Sequence, residues 1–126
     1  MNVGQIFEQE IIVTKDMLAS SLGSGAVDVF ATPYMIAKME ETSSLCVAND
    51  IGEGNVTVGV VVNITHLSAT PLGMKVTFKA ELTEVTPKML TFKVEAFDEV
   101  CKIGEGVHTR AIVFKEKFEA KTNAKK

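Results

Sequence analysis

Apolar residues recur along this chain with two periods, and the switch between them divides it. In MKVTFKAELTEV, from Met74 to Val85, Val76, Phe78, Ala80 and Leu82 alternate with Lys75, Thr77, Lys79 and Glu81. That is the period of a half-buried strand. A Thr86-Pro87-Lys88 turn follows, and Leu90, Phe92, Val94 and Ala96 repeat the pattern between Met89 and Asp98. Val56 to Leu67 also reads as a strand. Simple alternation places Val56, Val58, Val60, Val62, Ile64 and His66 on one face, until SATPLG breaks the run through Pro71 and Gly73. Further strands are predicted near Ile6 to Thr14 and from about Gly106 to Lys117, and the GEG triplets at Gly52 and Gly104 read as turns.

The other period belongs to TPYMIAKMEETSSLCVAN, from Thr32 to about Asn49. Thr32 suits an N-cap, because its hydroxyl can accept from a first-turn amide, and Pro33 suits the first helical position. At about 100° per residue, Ile36, Met39, Ser43, Cys46 and Val47 form one stripe. Between the first strand and this helix lies a looser segment, KDMLASSLGSGAVDVFA. One substantial helix covering one face of an antiparallel sheet predicts an α+β domain over residues 1–126. By analogy with known folds, the arrangement is the hotdog architecture, whose chains usually pair edge to edge.

Composition narrows the function classes. A net charge of −3, with no basic cluster interleaved with aromatics, gives no reason to expect nucleic acid. The sequence carries no leading basic-then-apolar segment and no apolar run of membrane-spanning length, so neither a signal peptide nor a membrane span is expected. Cys46 and Cys101 lie far apart without a metal-type spacing, which fits a reducing, cytoplasmic setting. The lysine-rich end, about 119–126, reads as a frayed solvated tail.

Within the helix, Glu40 falls on the apolar stripe, within about 40° of Ile36, whereas Glu41 points to solvent. A carboxylate facing a core must be paired, hydrogen-bonded or protonated. Reaching water from the stripe edge, or bonding a backbone group, is its ordinary fate. His66 ends an apolar strand face, where a lone histidine is by default a satisfied core residue. Together, Glu40 and His66 put an acid and an imidazole where helix and sheet meet.

The segments VFATPYMIAKMEE, GEGNVTVGVVVNITHLSATPLGMKVTFKAEL and KIGEGVHTRAIVFKEKFEAK resemble the fluoroacetyl-CoA thioesterase and its relatives among the single-hotdog acyl-CoA thioesterases. The resemblance runs from Val27 to the end of the chain. It implies a catalytic constellation of Thr32 at the helix start, Glu40 within the helix and His66 on the following strand. It also implies substrate contacts from Gly59 and Arg110. The implied reaction is thioester hydrolysis, with Glu40 attacking directly or activating water. No metal or redox cofactor is implied, since CoA is part of the substrate, and the expected partner is a second copy of the chain. Arg110 has the chemistry for a CoA phosphate or a carboxylate. His108 is read as structural.

The specialised fluoroacetyl enzyme has a longer lid with aromatic residues before its catalytic helix. The corresponding segment here, MLASSLGSGAVDVF, has no aromatic before Phe30, which points to a broader range of short- to medium-chain acyl groups. A hotdog hydratase or dehydratase and a non-catalytic acyl-CoA-binding module are the competing readings. The first lacks a recognisable hydratase segment, and the second would not require all three residues.

Overall fold

The computed structural model describes all 126 residues. Five strands form one antiparallel sheet: β1 (Ile6–Ile12), β2 (Asn55–His66), β3 (Lys75–Val85), β4 (Met89–Phe97) and β5 (Lys102–Phe114). Their order across the sheet is β1-β3-β4-β5-β2, so β1 and β2 are its edges. A 3₁₀ turn at Lys15–Met17 and a short helix α1 (Ala19–Leu22) lead to the long helix α2 (Thr32–Val47). Leu18 bridges Phe30 within the segment expected to be loose. The chain finishes in an exposed helix α3 (Lys115–Asn123). This is the α+β architecture that the two periods predict. No helix is long and apolar enough to cross a membrane.

The core is one cluster, built where β3 and β4 face α2. Val76, Phe78, Ala80 and Leu82 on β3, and Leu90, Phe92, Val94 and Ala96 on β4, are all fully buried, as alternation predicts. From α2 the buried residues are Met35, Met39, Thr42, Ser43 and Val47. The centre of the apolar face thus passes through Met35 and Met39, with Ile36 and Glu40 on its flank. Buried Thr42 and Ser43 donate to the carbonyls of Lys38 and Met39, which satisfies hydroxyls that would otherwise be costly to bury.

Three expectations need correction. The last strand begins at Lys102 and ends at Phe114, so the second GEG lies inside β5 and residues 115–123 are helical. A Cβ at Gly104 would stand 2.7 Å from the Met35 sulfur, so the glycine lets the methionines of α2 pack close to β5. The first GEG does turn, with Gly52 and Gly54 at positive φ. The second correction concerns β2, whose register against β5 slips between Gly59 and Val61. Val60 is the extra residue of a β-bulge, and a bulge reverses the phase of alternation. Thr57 and Gly59 face α2 before it, and Val62, Ile64 and His66 face that side after it, so Val56 and Val58 do not share the face of His66. The third concerns Thr32, which is the first residue of α2; Ala31 is the N-cap, and no side chain caps the helix.

Candidate active site

Released from capping, the Thr32 hydroxyl lies 2.7 Å from Nδ1 of His66. The start of α2 and the end of β2 therefore meet through this pair. Nε2 of His66 is buried and has no partner in the chain. Such orphan atoms are rare in folded proteins, and this one lies beside a cleft. Burial holds the imidazole below its ordinary pKa of 6.5. His66 is thus neutral near pH 7. An open cleft of about 370 Å³ adjoins the pair, lined by Thr32, His66, Leu67 and the segment from Ser24 to Phe30.

Two turns farther along α2, Glu40 meets a different set of residues. Its Oε2 is 3.7 Å from Nη1 of Arg110, an ion pair whose guanidinium is nearly buried while the carboxylate is 38% exposed. Arg110 is held rigidly: Nε donates to the Thr57 hydroxyl and Nη2 to the Thr57 carbonyl, both at 2.8 Å. Nη1 approaches Nε2 of His108 at 3.1 Å. Burial pulls the Arg110 pKa down, and the Glu40 charge opposes it. Gly59 leaves room for this approach: a Cβ there would stand 2.9 Å from Glu40 Oε2, and the carboxylate would have to shift.

All five predicted site residues therefore lie on the helix-facing side of the β2–β5 end of the sheet, but in two groups. Thr32 and His66 form one; Glu40, Gly59 and Arg110 form the other. Thr32 and Glu40 are eight residues apart on α2, a rise of about 12 Å. The expected meeting of Glu40 with His66 does not occur within one chain. Arg110 is not the exposed charge that a strand near the terminus allows, since it points inward. Thr57 and His108 were not expected to take part. Alternation along β5 carries the relevant signal, because it sets His108 and Arg110 on the same face.

Comparisons with known proteins place the chain in a family. A family model described as fluoroacetyl-CoA-specific thioesterase, FlK, matches residues 13–116. The fluoroacetyl-CoA thioesterase of Streptantibioticus cattleyicolor is 34% identical over 99% of this chain and 94% of its own. A solved structure of the fluoroacetyl-CoA thioesterase FlK superposes with a TM-score of 0.94, at 34% identity, over 100% of this chain and 98% of that one. A hot-dog-like protein from Thermanaerovibrio acidaminovorans, 21% identical, superposes at 0.90 over 99% and 93% of the two chains and shares the fold. The chain has a hotdog fold, is a thioester hydrolase, and belongs to the FlK family of fluoroacetyl-CoA-specific thioesterases.

Proposed function

We propose that this protein hydrolyses short- to medium-chain acyl-CoA thioesters to the free acid and CoA, with Glu40, Thr32 and His66 as its catalytic residues. The observation that carries the reading is the buried, unpartnered Nε2 of His66, whose other nitrogen is engaged by Thr32. With the Thr32 hydroxyl donating to Nδ1, Nε2 bears the proton and offers it to the thioester oxygen or the departing thiolate. The uncapped first turn of α2 adds backbone amides suited to a developing oxyanion. Glu40 supplies the negative charge at the carbonyl carbon, as nucleophile or as general base toward water. Gly59 and Arg110 contact the substrate beside it. The reading needs no metal or redox cofactor.

The separation of the two groups favours a homodimer. β2 is an edge strand, and Val60, Val61 and Val62 on it are 53%, 47% and 43% exposed. Antiparallel pairing of β2 with its copy, about an axis at Asn63, would continue the sheet and, with Val60 the extra residue of the bulge, set Gly59 of one protomer opposite the partner's His66. Each site would then combine Thr32 and His66 of one protomer with Glu40 and Arg110 of the other. The two free cysteines suit a reducing, cytoplasmic compartment.

The lid segment supports the acyl range. Its contributions to the cleft are Ala19, Ser24, Gly25, Val27, Val29 and Phe30, and that one aromatic is otherwise buried in the core. Nothing bulky closes the cleft against chains longer than acetyl.

The test is thiol release from acyl-CoAs, acetyl through about decanoyl, beside the Glu40→Gln protein. The expected result is turnover by the native chain and a kcat lowered by about 10²- to 10⁴-fold in the variant, with unfolding unchanged. Binding of acyl-CoA without release of any thiol would overturn the reading.

A further inference from the structure

His108 was expected to be structural, and at 1% exposure it is fully buried. Its hydrogen bonds are more specific than a packing role requires. Nδ1 lies 2.7 Å from the carbonyl oxygen of Val61, the residue that follows the bulge. A carbonyl only accepts, so Nδ1 carries a proton. Nε2 lies 3.1 Å from Nη1 of Arg110. A guanidinium only donates, so Nε2 holds a lone pair. Both contacts select the same neutral tautomer, and a doubly protonated ring would turn an N–H against the N–H of Arg110.

The same three side chains converge over one backbone atom. A Cβ on Gly59 would stand 2.9 Å from Glu40 Oε2, 3.4 Å from His108 Cε1 and 3.6 Å from Arg110 Nη1. Thr57 holds two nitrogens of the guanidinium, Nε and Nη2, which leaves Nη1 to be shared between His108 and Glu40. The charged groups facing His108 are Arg110 on its own strand and Glu40 on α2. β2 presents only uncharged groups, Thr57, Gly59 and the Val61 carbonyl, and β4 places Phe92 beside it in register. The bulge thus has a purpose in the site: it re-aims a carbonyl, the carbonyl selects a tautomer, and the tautomer supplies an acceptor for Arg110.

We propose that His108 is a positioning residue for the Glu40–Arg110 pair, held by the Val61 carbonyl as the Nδ1–H tautomer so that its Nε2 lone pair keeps the Arg110 guanidinium against Glu40, and that the site is competent only while His108 is neutral. The inference rests on the reading of Glu40 as the reacting carboxylate. Burial, reinforced by the Arg110 charge, pushes the His108 pKa below 6.5, against the Val61 hydrogen bond and the Glu40 charge. The neutral form is therefore the one present at pH 7.

The first test is made on the native protein. Long-range proton–nitrogen NMR correlations report imidazole tautomers, and with only two histidines a His66→Gln variant assigns both. The expected result is His108 as Nδ1–H from pH 8 to below 6.5. An Nε2–H tautomer, or a charged ring at pH 7, would overturn the proposal. The second test is kinetic. His108→Leu should lower kcat by about 10- to 100-fold with little change in KM, through misplacement of the guanidinium. His108→Gln, whose amide can donate to Val61 and accept from Arg110, should recover most of that loss. Native kcat in His108→Leu, alongside an inactive Glu40→Gln, would refute positioning while leaving the hydrolase reading intact. Native turnover in Glu40→Gln would refute both.

Discussion

The middle of the sheet and its β2 edge are made of similar residues but obey different rules. From Val76 to Leu82 on β3 and from Leu90 to Ala96 on β4, every second side chain is fully buried against α2. β2 is richer in valine than either, yet Val60, Val61 and Val62 are all exposed. A central strand has neighbours on both sides and a helix on one face, so burial follows the pleat. An edge strand lacks one neighbour, can bulge, and can carry apolar side chains whose cover lies outside the chain. The comparison teaches that the exposed apolar residues of this sheet collect at its β2 edge, and the candidate catalytic groups sit beside them.

The largest expected effect belongs to the middle. Phe92→Ala would empty the space of a fully buried ring between β4 and α2. It should cost about 3–5 kcal/mol of stability, read as a lower urea midpoint. A change under 1 kcal/mol would break the distinction between the regions. Val61→Glu tests the edge. Its side chain is exposed, so the protomer should lose no more than about 0.5 kcal/mol. Buried charge at a β2–β2 contact should nonetheless give a monomer by analytical ultracentrifugation, with activity falling alongside. A folded dimer with full activity would place the interface elsewhere.

The smallest effect is that of pH, and it sharpens the edge further. Both histidines lie on the site-bearing β2–β5 pair, and burial depresses both pKa values below 6.5. As pH falls through about 6.5 the unfolded chain takes up protons before the folded one does. Stability is therefore full above that point and declines as pH drops through the folded-state values. The melting temperature should fall as the pH drops below about 6.5, and less so in a His66→Gln, His108→Gln double variant. An unchanged slope would assign the acid sensitivity to the carboxylates.

How legible all this was depended on whether the cause was local. Strand faces on β3 and β4 follow from side-chain direction alone, and the α2 stripe from 100° per residue, so Glu40 stood out as a carboxylate in the wrong place. Gly59 within the strand hints at a bulge or a close approach, but the bulge at Val60 is a pairing event with β5, and GVVVNI does not fix its position. Thr32 shows the same limit, because a threonine before a proline reads as a cap until a histidine 34 residues away takes its hydroxyl. Arg110 and His108 share a face by alternation, but whether that face met water or Glu40 was not a local matter.

The sequence by itself determined the helix, the two central strands, the apolar core they share, and the residue types able to work on a thioester. Periodicity and chemistry are properties of neighbours along the chain, and they survive without a fold. Tertiary structure alone decided that Glu40 answers to Arg110 over Gly59, that His66 answers to Thr32, and that the two groups stand apart. Those pairings depend on strand register and on the approach of α2 to the sheet, and register is set only when strands distant in sequence close on one another.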